Sequence, residues 1–195
     1  MKPVFFKPRL LLASKSPRRR QLLTDSGFSV DFVDIEVEED FDANLKAQAI
    51  PEFLAQKKSR AFANQLQANE ILVTADTVVW VNDHVLNKPN TIQEAKSMLM
   101  ELSGNKHTVY TAVCLKTQTN EHVFSEASEV YFNELTEDMI DYYLSVYSPL
   151  DKAGAYGIQE FIGYIGIQKI VGCYYNVMGF PVSRLIAELN QHKLF

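Results

Sequence analysis

Short β-type segments alternate with segments of helical periodicity in the N-terminal half of the chain, and this alternation constrains the fold more than any other feature. The segment 9–13, which is apolar after Arg9, predicts a buried strand, and alternation over 28–33 predicts a second strand. Between them, Ser16 as N-cap and Pro17 at the first helical position predict a helix that ends at Gly27. Strands interleaved with helices favour an α/β fold, with a mixed central β-sheet flanked by helices and two lobes around a cleft.

The rest of the chain has clear element boundaries and one section of mixed character. Hydrophobic spacing and turn signals predict a helix from Leu45 to Leu66 with Pro51 as a candidate break, a hairpin from Ile71 to Leu86 that turns at Asn82 and Asp83, a helix capped by Thr91 and Glu94 and stopped by Gly104, strands from His107 to Leu115 and from His122 to Phe132, a helix from Thr136 to Val146, and an amphipathic helix from Pro181 to Leu194. The helix after Thr91 is expected to bury Ile92, Ala95, Met98, Leu99 and Leu102. Residues 151–172 contain several glycines and are predicted to be partly extended.

Length and composition favour one domain over residues 1–195. A chain of 195 residues that is 47% hydrophobic can bury a full core. Phe5 and Phe6 are separated from the next apolar run by charged residues and a proline, which breaks the apolar region of a signal peptide. We therefore expect a cytoplasmic protein that does not enter the membrane. The oligomeric state stays open, with a homodimer among the alternatives.

Cysteine and histidine spacing gives no zinc motif. The two cysteines, Cys114 and Cys173, lie far apart, and the four histidines form no HExxH pattern, so neither a disulfide framework nor a zinc site is indicated. The net charge of -5 argues against a nucleic-acid surface. The charge is unevenly distributed, because seven basic residues precede Asp25 and a run of acids follows at 31–42. Two opposite local fields would suit a polyanion and its cation.

The segment from Ser14 to Arg19 is a candidate anion site. Arg18 and Arg19 lie in the first turn of a predicted helix, where partial positive charge makes arginines unfavourable without an anion. A phosphate chain there would meet backbone N–H groups, serine hydroxyls and two guanidinium groups. A solvated basic turn explains the same residues equally well, since neither GxxxxGK[ST] nor GxGxxG occurs.

Asp76 lies in the middle of the most apolar strand pattern of the chain. A buried carboxylate is costly unless it is paired, hydrogen-bonded or bound to a metal. An aspartate there could hold a divalent ion and deprotonate a water, although hydrogen bonding to the local backbone is a slightly better explanation of the pattern alone. The acidic run from Glu36 to Asp42 could supply another oxygen ligand for magnesium or manganese, but most of it must be solvated.

Three lysines and one glycine-bounded loop are weaker candidates. Lys57, Lys58 and Lys88 could neutralise phosphate charge, although lysines are usually surface residues. The loop from Asp151 to Gln159 combines a charged pair, small residues and an amide. Gln159 could recognise a base edge because its amide offers a donor and an acceptor, and a turn with an ion pair is the alternative.

Taken in order, several fragments resemble the Maf family of nucleotide pyrophosphatases over nearly the whole chain. They are Leu12-Ala13-Ser14-Lys15-Ser16-Pro17-Arg18-Arg19, Ala75-Asp76-Thr77-Val78-Val79, Asn87-Lys88-Pro89, Ser103-Gly104 with Val109-Tyr110-Thr111-Ala112-Val113, Asp151-Lys152-Ala153-Gly154-Ala155-Tyr156-Gly157-Ile158-Gln159, and Val177-Met178-Gly179-Phe180-Pro181. The resemblance implies a fold related to the inosine triphosphate pyrophosphatases, a divalent metal cation (magnesium or manganese), and hydrolysis of nucleoside triphosphates to the monophosphate and pyrophosphate. It also implies a role in clearing the nucleotide pool.

The resemblance also assigns roles to residues. It makes Asp76 the proton acceptor and a metal ligand, with Glu39 as the second metal ligand and Glu38 as the near alternative. The residues that would hold the triphosphate are Ser14, Arg18, Arg19, Lys58 and Lys88, and those that would set base preference are Arg18, Thr77 and Gln159. The form of the 151–159 loop resembles the branch that acts on dTTP and UTP. Glu160 is a departure, because the family pattern has glycine there.

Two other functions compete with this one. In the first, the pocket senses a nucleotide without turnover, as in a regulator of cell division, because members of the family are associated with septum formation. In the second, the same chemistry acts on noncanonical purines. A metal-assisted carboxylate favours catalysis over sensing, because binding alone seldom needs a base.

Overall fold

A computed structural model of the chain describes residues 5–192 as seven strands and seven α-helices within that range. The strands are β1 (Arg9–Leu12), β2 (Ser29–Phe32), β3 (Glu70–Val81), β4 (His84–Leu86), β5 (Lys106–Lys116), β6 (Glu121–Phe132) and β7 (Ile167–Val171). The helices are α1 (Pro17–Asp25), α2 (Ala49–Ala61), α3 (Ile92–Leu102), α4 (Glu137–Val146), α5 (Phe161–Gly166), α6 (Tyr174–Val177) and α7 (Val182–Gln191), with a 3₁₀ turn at Ala153–Ala155.

The strands form one mixed sheet in the order β2-β1-β3-β5-β6-β7, with β4 paired to β3. β1 runs parallel to both β2 and β3, with Leu10 opposite Val30 and Ile71. β3 and β4 are antiparallel, as are β6 and β7. The α/β prediction of a mixed central sheet flanked by helices is therefore confirmed, while the cleft stays a prediction.

The chain forms two compact units, each built from separate stretches of sequence. The first unit comprises the described residues up to Asp76, together with Thr111–Glu126 and those from Gly179 onward. The second unit comprises Thr77–Tyr110 and Ala127–Met178. Strands β3, β5 and β6 contribute residues to both units. Whether residues 1–195 fold as one domain stays a prediction.

In the first unit, β1 is buried on both faces. Leu10 and Leu12 join a core cluster with Leu23 of α1, whereas Leu11 faces a second cluster that contains Phe62 and Leu66. After Arg9, all three residues of β1 are buried leucines, which is typical of parallel sheets covered on both sides. Leu10, Leu12 and Leu23 are fully buried. Burial of each leucine contributes roughly 1.5–3 kcal/mol to stability, so these three residues define the centre of the unit.

The predicted caps and the hairpin turn are confirmed. The Ser16 side chain accepts the Arg19 N–H, Thr91 accepts the Glu94 N–H, and Thr136 accepts the Met139 N–H. Asn82 and Asp83 both have positive φ values, 46° and 61°, as the tight turn between β3 and β4 requires. Local side chain-to-backbone chemistry therefore fixes these boundaries.

Three element predictions need correction. Helix α2 covers Ala49–Ala61 rather than Leu45 to Leu66, and Pro51 lies in its first turn, where the missing N–H breaks no helical bond. Ile92 is 48% exposed rather than buried, because it begins α3 on the solvent side. The 151–172 section contains a helix, α5, as well as β7, and the end of the predicted final helix at Leu194 lies outside the described residues.

No helix within residues 5–192 combines the length and apolarity that are needed to cross a lipid bilayer.

His107 is a buried histidine in the core of the second unit, and its burial is expected to make the free energy of unfolding depend on pH. It is 1% exposed, its Nε2 lies 2.7 Å from the Tyr156 hydroxyl, and burial lowers its pKa to about 3. An unfolded histidine titrates near 6.5, so its stabilising contribution is complete above pH 6.5 and is lost as the pH falls toward 3.

We expect the free energy of unfolding to fall by about 2 kcal/mol between pH 7 and pH 5 because of His107 alone. Urea unfolding at the two pH values measures this change in the native chain and in His107→Phe. The variant should lack this part of the pH dependence. Equal pH dependence in both proteins would show that His107 is not the responsible group.

Candidate active site

Asp76 is buried near the middle of β3, and a lysine from α2 neutralises it. Lys58 Nζ lies 2.6 Å from Asp76 Oδ1, and the two side chains are 12% and 8% exposed. Thr74, two residues earlier, donates its hydroxyl to the Ala55 carbonyl at 2.7 Å, which fixes α2 against β3. The carboxylate is therefore paired by a side chain rather than by the local backbone, which was the alternative drawn from the sequence.

Glu39 converges on the same ammonium group. Its Oε1 lies 2.8 Å from Lys58 Nζ, and its side chain is 44% exposed. The two carboxylates that the family resemblance assigns to a metal thus meet at one cation, one of them buried and one open to solvent. Oxygen donors of this kind suit magnesium or manganese, which also keep waters and bind phosphate oxygens. The residues fit such an ion, and Glu39 is better placed than Glu38 because Glu39 contacts the ammonium group that pairs with Asp76.

Lys57, the residue before Lys58, contacts a different acid. Lys57 Nζ binds both the carboxylate and the backbone carbonyl of Asp40. This contact lowers the pKa of Asp40 through the hydrogen bond from Lys57. Consecutive lysines of α2 therefore each hold one acid of the 36–42 run, and only the Lys58 contact involves Asp76.

Arg19 links the start of α1 to the strand that carries Asp76. Its Nη1 donates to the Ala75 carbonyl and its Nε donates to the Gly179 carbonyl, both at 2.8 Å. Burial lowers the pKa of the Arg19 guanidinium, the charge of Asp76 opposes this effect, and the charge of Arg18 lowers the pKa further. Arg18, Arg19 and Asp76 thus share one electrostatic environment within the first unit.

Hydrogen bonds within the Ser14–Arg20 segment fix the loop before α1, and Arg20 contributes to them. The Ser14 hydroxyl accepts the Ser16 N–H at 3.2 Å, and the Ser14 carbonyl accepts Arg20 Nε at 2.8 Å. The Arg20 guanidinium lies 4.8 Å from the ring centre of Phe32. Arg20 therefore stabilises the loop that contains Ser14. Of the three consecutive arginines, this one has a structural role that needs no bound ligand.

In the second unit, the Lys88 segment is joined to the glycine loop. The Gly154 N–H donates to the Asn87 carbonyl at 3.2 Å. Gly154 has φ +67°, and a Cβ there would lie 2.9 Å from a Val79 methyl carbon, so only glycine fits without displacement. Lys88 is exposed, and Thr77 directly follows Asp76 on β3 and is partly buried.

Gln159 presents a buried oxygen without a hydrogen-bond partner among residues 5–192. Its Oε1 is inaccessible to solvent, whereas its backbone carbonyl accepts the Tyr164 hydroxyl. A buried amide oxygen without a partner is costly, roughly 1–3 kcal/mol. A ligand that donates a hydrogen bond would remove this cost once the amide turns toward it.

Glu160 supports the glycine loop, and this role was not predicted from the sequence. Its Oε2 accepts the Tyr143 hydroxyl at 2.5 Å, and its Oε1 lies 3.2 Å from the Nζ of Lys152, which is buried. The Gly157 N–H donates to the same Tyr143 hydroxyl at 3.1 Å. A Cβ on Gly157 would lie 2.6 Å from the Glu160 carboxyl carbon. Glu160 therefore occupies the space beside Gly157 and gives Lys152 a second carboxylate partner, in addition to Asp151 Oδ1 at 2.9 Å.

Comparison of the sequence with known proteins matches the chain to one family. The family model described as Maf-like protein matches residues 9–192. The chain belongs to the Maf family. It is 46% identical over 186 residues to a dTTP/UTP pyrophosphatase of Phocaeicola vulgatus, covering 95% of this chain and 96% of that protein. It is 45% identical over 188 residues to a dTTP/UTP pyrophosphatase of Bacteroides thetaiotaomicron, again covering 95% and 96%.

A more distant Maf relative and one solved structure extend the comparison. The dTTP/UTP pyrophosphatase of Flavobacterium johnsoniae is 42% identical over 183 residues, 94% of both proteins. The Ham1 protein of Staphylococcus aureus has the same fold, with a TM-score of 0.55 at 16% identity, covering 94% of this chain and 99% of that one. The fold predicted from the family resemblance is thereby confirmed.

Proposed function

We propose that this chain is a metal-dependent nucleoside triphosphate pyrophosphatase that converts dTTP and UTP to the monophosphate and pyrophosphate. Membership of the Maf family and relatives named dTTP/UTP pyrophosphatase over nearly the whole chain support the reaction and the substrates. The observation that carries the proposal is the convergence of Asp76 and Glu39 on Lys58, beside Arg19. We place this activity in the cytoplasm, which contains the nucleotide pool.

The proposed reaction needs a proton acceptor and a set of groups that bind the triphosphate. Asp76 accepts the proton of the attacking water, because it is a buried carboxylate whose orientation is fixed by Lys58. Arg18, Arg19, Lys58 and Lys88, with the Ser14 hydroxyl, bind the triphosphate oxygens and stabilise the charge that builds up on them. Arg19 also holds the Ala75 carbonyl, so it positions the residue next to the base.

Magnesium or manganese, when bound by Asp76 and Glu39, would neutralise triphosphate charge and make the phosphorus more electrophilic. In the absence of that ion, Lys58 neutralises both acids. The ammonium group therefore keeps the two carboxylates together, so the ligand pair is already assembled when the ion arrives. This preorganisation reduces the entropy cost of binding.

A substrate panel tests the proposed reaction and its substrates. The native chain is incubated with manganese and, separately, with dTTP, UTP, dCTP, CTP, GTP, ATP and ITP, and release of monophosphate is followed by ion-exchange chromatography. We expect kcat/KM to be greatest for dTTP and UTP. A maximum for ITP would instead identify an enzyme of noncanonical purines.

Gln159 is predicted to control base choice rather than triphosphate binding. Pyrimidines of the uracil and thymine type carry an N3–H donor that can meet the Gln159 oxygen, which has no partner among the described residues. We expect Gln159→Ala to reduce the preference for dTTP over dCTP by about 10-fold to 100-fold, as loss of one hydrogen bond in a buried site implies.

The panel of kcat/KM values measures this preference in the native chain and the variant. Gln168→Ala is the matched control, because Gln168 is an exposed residue of β7. If all rates in Gln159→Ala fell together with their ranking unchanged, Gln159 would have no part in base choice.

A further inference from the structure

A second cluster of metal-ligating side chains lies at the end of α7, separate from the Asp76 group. Its members, all in the first unit, are His122 of β6, Glu188 of α7, and His192 directly after that helix. His122 Nε2 lies 2.8 Å from Glu188 Oε2, and His192 Nε2 lies 3.4 Å from the same oxygen. The two imidazole rings are 4.0 Å apart between centroids.

This geometry is close to that of a zinc site. One ligand atom from each of the three residues lies within 4.8 Å of the other two. Zinc bonds of about 2.0–2.1 Å at a tetrahedral angle place neighbouring ligand atoms about 3.3 Å apart. The two histidine-to-carboxylate distances are 2.8 and 3.4 Å. A small rotation of the side chains would bring both distances to that spacing.

Glu188 is buried, and hydrogen bonds hold its carboxylate in place. It is 4% exposed, and its Oε1 accepts Arg184 Nε at 2.7 Å, which leaves Oε2 directed at the histidines. A carboxylate that is anchored through one oxygen is typical of metal ligands with a hydrogen-bonded outer partner.

The open side of the cluster faces a cavity of about 270 Å³. Leu115, Thr117, Asn120 and Glu121 line this cavity together with His122 and His192. Three protein ligands with a fourth position open to solvent suit a borderline-soft divalent cation, since imidazole favours zinc over magnesium. The Asp76 group, which offers only oxygen ligands, has the opposite preference.

We propose that His122, Glu188 and His192 form a binding site for zinc or a chemically similar divalent ion, distinct from the magnesium or manganese position at Asp76. The bound ion joins the end of α7 to β6. Both histidines bind through Nε2 and carry their remaining proton on Nδ1. Because the ion binds the folded chain, it also stabilises that chain by mass action.

Zinc titration of tag-free protein against a chromophoric chelator tests this proposal. We expect one zinc ion per chain with a micromolar or lower Kd in the presence of excess magnesium. The substitutions His122→Gln and His192→Gln should each weaken binding at least about 100-fold, because loss of even an outer-shell partner costs 10-fold to 100-fold. The matched control is His84→Gln, since His84 is a half-exposed histidine paired to Glu101 in the second unit.

Two further measurements separate the site from the alternatives. Zinc should raise the melting temperature of the native chain and of Asp76→Asn, but not that of His122→Gln. Circular dichroism establishes that each variant is folded, and His192→Gln changes a side chain that is 38% exposed. Unchanged zinc affinity in both histidine variants, or binding that disappears only in Asp76→Asn, would overturn the proposal.

Discussion

Replacing Asp76 with asparagine is expected to lower kcat for dTTP hydrolysis by about 10³-fold or more. A positioned general base contributes typically 10²–10⁴-fold, and Asp76 is also a proposed metal ligand, so its loss removes two contributions. The amide has the size of the carboxylate and remains beside Lys58 at its buried position. We therefore expect the fold to survive while the chemistry is lost.

Steady-state kinetics with dTTP and manganese measures the effect. Asp40→Asn is the matched control, because Asp40 belongs to the same acidic run but pairs with Lys57 in solvent. Its kcat should stay within about two-fold of the native value, since an exposed ion pair contributes little. Undiminished turnover in Asp76→Asn would exclude Asp76 from the mechanism.

Replacing Lys58 with methionine is expected to destabilise the fold by about 3–5 kcal/mol, because it leaves the Asp76 carboxylate buried without its partner. Lys57→Met provides a direct comparison from the adjacent residue of the same helix. Its partner Asp40 is 73% exposed, so we expect a loss below about 1 kcal/mol. Urea unfolding at pH 7 measures both variants.

Manganese should recover part of the stability that Lys58→Met loses. In that variant the two acids Asp76 and Glu39 have no ammonium between them, so a divalent ion can neutralise them instead. Lys57→Met should show no larger response to manganese than the native chain. Equal losses in both lysine variants would contradict the assignment of Lys58 as the partner of a buried carboxylate.

Much of the fold could be predicted from the sequence because its signals are local. The Ser16 and Thr91 caps and the turn at Asn82 depend on contacts within a few residues, and the structure reproduces them. The start of α2 was misplaced because Pro51 is compatible with a first helical turn as well as with a break. Helix α5 was missed because its six residues include two glycines, so propensity opposes a helix that tertiary contacts impose.

The site could be predicted only in part, because its decisive contacts join distant residues. The costly position of Asp76 was visible in the apolar pattern of β3, but its partner Lys58 lies 18 residues away on another element. Arg19 is predicted to be a phosphate ligand, whereas its hydrogen bonds to the Ala75 and Gly179 carbonyls had no sequence signal. The cluster of His122, Glu188 and His192 had no sequence signal for the same reason, since His122 and Glu188 are 66 residues apart.

The products of dTTP incubation test the central claim most directly. The native chain and Asp76→Asn are each incubated with dTTP and manganese, and phosphorus NMR follows the nucleotide. We predict that the native chain forms dTMP and pyrophosphate in equal amounts and that the variant leaves dTTP almost intact. Survival of dTTP with the native chain would instead identify a nucleotide sensor, and formation of dTDP and phosphate would contradict the proposed bond cleavage.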